Sequence, residues 1–181
     1  MFPPIPTWDG LHPLVVHFPI ALLTVAPVLI ILGLFVYRGY FWFAVSALAL
    51  MALGTIAAFV AVASGEAAAE LAMRSPQINA VLGRHEELAE TARTVFLGLT
   101  LLFAAITFVP LWVKRPMKRT ATTVIVVVFL LIYGGGVVLL ANAAHQGGRL
   151  VHEFGVHALI AESPADATPP SVNSSNELDD D

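Results

Sequence analysis

Six histidines, His12, His17, His85, His145, His152 and His157, are the residues of this chain best suited to chemistry, and no cysteine accompanies them. Neutral imidazole binds haem iron and zinc, and it carries protons near neutral pH. Without cysteine there is no thiolate metal site, no disulfide framework and no CxxCH attachment of a c-type haem. A metal would have to be held by histidine, carboxylate or carbonyl. The question is sharpest in "LHPLVVHFPIALL", Leu11 to Leu23. There His12 and His17, with Pro13 and Pro19, head an apolar run in which an ionisable side chain is expensive.

The elements that position these residues are membrane spans. The chain has 181 residues, 57% hydrophobic and only 12% charged, far more apolar than a soluble domain requires. Runs long enough to cross ~30 Å of hydrocarbon lie near Leu14 to Val36, Phe41 to Ala63, Val95 to Val113 and Thr122 to Ala144. The expected fold is an all-α membrane protein, a four-transmembrane-helix bundle over residues 1–160. No Lys or Arg precedes the first run, so it is expected to stay as a helix and not to be cleaved as a signal peptide.

Charge orients the bundle. The turn after the first span carries Arg38, the turn after the third carries Lys114, Arg115, Lys118 and Arg119, and neither holds an acid. Those turns are expected on the cytoplasmic side. Every Asp and Glu then falls on the other side with both termini, which are expected outside, facing a periplasm or its equivalent. Arg74, Arg84, Arg93 and Arg149 share that side, set among acids. So few basic residues, accounted for by topology, give no nucleic-acid surface.

In this topology all six histidines lie toward the outer face. His85 shares a stripe with Leu88, Ala89, Ala92 and Phe96, and His145 extends Val138, Ala141 and Asn142; both stripes are expected to face the bundle interior. His12 and His17 are five residues apart, about 140° and roughly 7.5 Å along a helix, too divergent for both to be first-choice ligands of one centre. Pro13 suits a first helical turn and Pro19 should kink the backbone. His12 is accordingly expected at the entrance, with His17, His85 and His145 converging as the cofactor ligands. Glu66, in "SGEAAAELAM", is either solvated at the interface or a hydrogen-bond partner that fixes the tautomer of a ligating histidine.

"SPQINAVLGR", residues 75–84, reads as a loop or turn capping the bundle, with Ser75 and Pro76 suited to start a helix. Gly147 and Gly148 are expected to end the fourth span. Arg149 to Ile160 would follow as a short amphipathic interfacial helix, with His152 on its polar face. Residues 161–181, polar, proline-containing and acidic, read as a disordered acidic tail.

Together, His12-Pro13, Val16-His17-Phe18-Pro19-Ile20, His85, and His145 with Gly147-Gly148, Leu150-Val151 and Gly155-Val156 resemble the bacterial four-span membrane family catalogued as domain of unknown function 2231. The resemblance covers roughly residues 9–160. It implies a four-helix membrane fold. Members of that family often occur beside c-type cytochrome domains, which points toward redox work. His152 and His157 stand where the family is expected to carry an aromatic and a glycine.

Three functional readings follow. In the first, one b-type haem near the outer face is held by two of His17, His85 and His145, and serves electron transfer with a periplasmic c-type cytochrome or a larger membrane complex. Small residues, Gly134, Gly135, Gly136 and Ala141 on the fourth span and Ala57, Ala58, Ala61 and Ala63 on the second, would make room. In the second, zinc or another divalent metal is bound by His12, His17, His85, His145 and Glu66 or a subset of them; no HExxH pair exists in the chain. In the third there is no cofactor, and the protein is an accessory subunit embedded in the lipid bilayer. A stand-alone enzyme has least support, since no nucleophile triad or phosphate loop can be assembled. The inner halves of the spans hold no histidine, only Met51 and Met117, so a second, stacked haem is not expected.

Overall fold

The computed structural model describes residues 7–36, 39–72, 75–114 and 118–156. A 3₁₀ turn, Asp9–Leu11, leads into α1, His12–Val15, and α2, His17–Phe35, which together form the first span. Then come α3, Tyr40–Leu71, α4, Pro76–Trp112, and α5, Arg119–His152. All four spans are long and apolar enough to cross a membrane. They run up and down, so the described chain ends share one end of the bundle. In sequence order each span packs on the next, and α2 closes the ring on α5. The spans led by α2 and α4 are therefore diagonal partners, as are α3 and α5.

Proline sets the local irregularities. Pro13 lies in the first turn of α1, where its missing N–H is harmless. The helical ladder breaks at Val16, one turn before Pro19, which has no N–H to offer the Val15 carbonyl. Ser75 caps α4: its Oγ accepts the Ile78 N–H at 3.2 Å, with Pro76 opening the helix. Residues 76–84 are thus the first turns of α4, where a capping loop was expected. The start signal was legible, but the helix runs directly on from it because nothing in "QINAVLGR" stops one.

The glycine pair Gly147-Gly148 lies inside α5 instead of ending it, and the four residues expected to open an interfacial helix, Arg149 to His152, continue α5. Termination comes at Gly155, in the left-handed conformation at φ +64, whose N–H reaches the Val151 carbonyl at 3.2 Å. His157 and the rest of the expected interfacial segment beyond Val156, the acidic tail, Arg38, Arg115, Pro116 and Met117 lie outside the described residues.

Two apolar clusters bracket the half of the bundle that carries the chain ends. The larger includes Leu23, Met51, Phe96, Phe103, Phe129 and Tyr133, all essentially sealed. Phe103 stacks on Phe129 at 4.9 Å, and Phe96 meets Tyr133 edge-on at 5.4 Å. Gly54 lets α3 approach α2 so closely that a Cβ there would come within 2.8 Å of Leu23, the small-residue packing expected where lipid removes the hydrophobic drive between helices. The smaller cluster, Ala69, Val81, Leu82 and Leu150 with Ile78, Phe154 and Val156 against it, caps the end that carries the chain ends. Outside these clusters the spans expose Leu, Val, Ile and Phe side chains, as a lipid-solvated surface requires. Trp42 and Trp112 are exposed at one end and Trp8 at the other, the positions of interfacial aromatic belts.

Candidate cofactor site

Between the clusters lies a cavity of about 500 Å³ to which all four spans contribute. Phe96 is among its lining residues. His12 and His85 enter it from the diagonal spans, their ring centroids 6.3 Å apart and their planes at 81°.

The two rings are held in the same way. His12 Nδ1 lies 2.8 Å from the Ala61 carbonyl on α3, and His85 Nδ1 lies 2.8 Å from the Ala143 carbonyl on α5. A carbonyl can only accept, so Nδ1 carries a hydrogen in each, and in the neutral ring Nε2 keeps its lone pair. Four residues beyond each carbonyl stands a glycine. A Cβ at Gly65 would come within 2.8 Å of His12 Cε1, and one at Gly147 within 3.0 Å of His85 Cε1. In a helix the carbonyl of residue i points along the axis toward residue i+4, so a bare i+4 position opens that carbonyl to a donor from the side. Ala61-x-x-x-Gly65 and Ala143-x-x-x-Gly147 are therefore two copies of one cradle, each serving a histidine from a neighbouring helix. Buried Ser64 adds a second contact on the α3 side: its Oγ donates to the Ala61 carbonyl at 3.1 Å and lies 3.4 Å from His12 Nδ1.

The expected convergence of His17, His85 and His145 is not the arrangement found. His85 faces the interior as its stripe indicated, but its partner there is His12. The break at Val16 and the 3₁₀ turn before it direct His12 inward. His17 is exposed on α2, its Nδ1 donating to the Pro13 carbonyl at 2.8 Å, though it still lines the cavity. His145 is exposed and does not line it, and the whole stripe Val138, Ala141, Asn142 and His145 faces outward. The inward face of α5 is instead Val126, Phe129, Tyr133, Gly136, Ala143 and Leu150, whose large side chains build the core. Asn142 meets its own helix, donating to the Val138 carbonyl at 2.9 Å.

Glu66 is exposed at the cavity's edge, and backbone carbonyls hold the position expected of it beside the histidines. Among the described residues no group of three or more His, Asp or Glu is placed to hold a metal ion together. Ala58 and Ala61 line the cavity, whereas Gly134 and Gly135 face open space and only Gly136 packs inward, against Leu99. Arg93, at the cavity margin, lies over the Phe59 ring at 5.1 Å, a cation–π contact that eases its place in a span. The signal that sequence reading missed is the paired strings "AVASG" and "AAHQG", residues 61–65 and 143–147. Each is inconspicuous alone and informative only once a histidine is seen to lie on it.

Comparison with curated proteins and with solved structures returned no match. A family model does match, over residues 9–159, a range that takes in all four spans, both cradles and both cavity histidines. The chain belongs to that family, DUF2231, described as predicted membrane proteins.

Proposed function

We propose that this is a membrane-embedded b-type haem protein in which His12 and His85 would hold the haem iron, serving electron transfer at one face of the bilayer. The observation that carries the reading is the separation of the two rings. Two imidazoles placed trans on one metal at bonds of ~2.0–2.1 Å have centroids about 6 Å apart, whereas a tetrahedral angle would bring them to about 5 Å. The 6.3 Å between the rings is within the reach of one metal held by both and is nearer the first of these separations than the second. Haem supplies a one-electron couple. The protein's part is to present two Nε2 lone pairs, to fix both tautomers through Ala61 and Ala143, and to surround the pair with apolar wall.

The cofactor-free accessory reading has one observation in its favour, since each Nδ1 is already satisfied by a carbonyl. It leaves the Nε2 acceptors of two histidines that line a largely apolar cavity without a use. By the placement of Arg38, Lys114, Arg115, Lys118 and Arg119, the cavity belongs at the outer face of a bacterial inner membrane with both termini outside. A c-type cytochrome or a larger membrane complex on that side is the partner this placement suits.

The test is an absorbance spectrum of detergent-purified protein made with ample haem. One haem per chain is expected, lost in His12→Ala and in His85→Ala and retained in His17→Ala, His145→Ala and His152→Ala. Wild-type protein containing no haem would overturn the reading, as would retention in both cavity variants.

A further inference from the structure

The lining of the cavity is divided by polarity. Its α5 wall is apolar over Leu140, Ala144, Leu150 and Val151, with His152 at the end of the helix, whereas α3 and α4 contribute Glu66, Glu86, Glu90 and Arg93. A ligand with one polar and one apolar edge is therefore expected to lay its polar edge on α3 and α4. Glu66 and Glu90 are exposed there and Glu86 is half-buried, and all three repel an anion. Among the described residues that line the cavity, Arg93 is the one Lys or Arg.

Arg93 is a charge held beside the cavity without a counter-ion. Twenty residues separate it from Val113 at the end of α4, about 30 Å of helix, which puts it where the hydrocarbon ends. It is half-buried, and an unpaired guanidinium at that depth is costly. Glu90, three residues earlier, has the spacing for an i,i+3 ion pair. The guanidinium instead lies over the Phe59 ring, 5.1 Å from its centroid. Among the described residues Arg93 forms no ion pair and no hydrogen bond, while Arg84 pairs with Glu87 and Arg149 with Glu153. Phe59 stands two residues before Ala61, whose carbonyl holds His12, about 3 Å along the helix. The N–H donors of Arg93 are thus kept near the level of the cradle with no acceptor from the chain.

We propose, resting on the haem reading, that Arg93 binds a propionate carboxylate of the porphyrin, so that the carboxylate edge lies on α3 and α4 and the apolar edge against α5. Haem carries its two carboxylates on one edge and hydrocarbon substituents elsewhere, the same division of polarity as the cavity lining. A planar guanidinium can meet a carboxylate through two parallel N–H donors. The cation–π contact with Phe59 leaves those donors available.

The experiment titrates haemin and haemin dimethyl ester, whose carboxylates are both capped, into full-length protein purified without added haem in phosphatidylcholine nanodiscs, with Soret absorbance read against empty nanodiscs. Wild type is expected to bind haemin about tenfold more tightly than the ester, as one hydrogen-bonded charge pair would give. Arg93→Leu should bring haemin down to the affinity of the ester and leave the ester unchanged, and it should insert normally because the span gains hydrophobicity. Arg93→Lys, which keeps the charge, should recover part of the preference. His145→Ala, outside the cavity, should match wild type. A preference that survives Arg93→Leu would overturn the proposal, as would an equal loss of both porphyrins in that variant, which would make Arg93 a structural residue. Loss of the wild-type preference in nanodiscs containing phosphatidylglycerol would overturn it in favour of a lipid phosphate as the partner of Arg93. Uptake of neither porphyrin by wild type sinks the haem reading together with the role of Arg93, whereas uptake of both with equal affinity sinks the role of Arg93 alone.

Discussion

Tyr133 donates its hydroxyl to the Leu23 carbonyl at 2.7 Å in the buried centre of the bundle, and that carbonyl is available because Pro27, four residues on, has no N–H to give it. A helix irregularity on α2 is thereby converted into a tie to α5. Because the partners are 110 residues apart in sequence, the tie also fixes the closure of the ring between α2 and α5.

Removing that hydroxyl by Tyr133→Phe should cost about 1 kcal/mol, between the ~0.6 average for membrane hydrogen bonds and the ~1–3 of an orphaned buried acceptor. Pro27→Ala restores an N–H to the Leu23 carbonyl, so in that background Tyr133→Phe should cost less. Additive losses in a double-mutant cycle of unfolding in mixed detergent would show that the proline does not free the carbonyl.

The glycine cradles predict an inversion of ordinary helix propensity. Gly83, exposed on α4 with nothing within reach of an added Cβ, should accept alanine with a gain of ~0.5–1 kcal/mol. Gly65→Ala and Gly147→Ala should be net destabilising, because the new Cβ displaces the His12 or His85 ring and breaks its Nδ1 hydrogen bond, worth ~1–3 kcal/mol when buried. Stabilisation at all three glycines would mean that the rings do not lie on α3 and α5 as described.

Thr55 and Thr100 share a buried hydroxyl–hydroxyl contact of 3.0 Å between α3 and α4. Thr55→Val alone should destabilise by roughly 0.5–1.5 kcal/mol. The double variant Thr55→Val/Thr100→Val should recover most of that loss, since no partner is then left unmatched. A double variant as unstable as the sum of the singles would show the contact to carry no coupling.

The absence of cysteine from the chain makes topology simple to read by single introduced thiols. Asn79→Cys, exposed in the first turns of α4, should react with an impermeant maleimide added to intact spheroplasts. Lys114→Cys, exposed just beyond the other end of the same helix, should react only after permeabilisation. The reverse pattern would invert the bundle and put the cavity on the cytoplasmic side.

Sequence alone determined the four spans, the sign of each end and the crowding of histidine toward one end. Those are properties of composition along the chain, and lipid enforces them, because a backbone crossing hydrocarbon must be helical and its side chains apolar. It also marked His85 as inward, since the aromatic and leucine residues on its stripe have no better place than the core. Which histidine meets His85 was a tertiary decision. In spans this uniformly apolar, hydrophobic periodicity barely distinguishes the lipid face from the protein face, so the small-residue stripe of His145 could be taken for the interior when Phe129 and Tyr133 in fact claim it. His12 reached the cavity, and His17 its margin, through a break at Val16 whose direction no local pattern records. The acceptors for both rings are backbone carbonyls of Ala61 and Ala143, present at every position of every helix and chosen only by where Gly65 and Gly147 leave them uncovered to a neighbour.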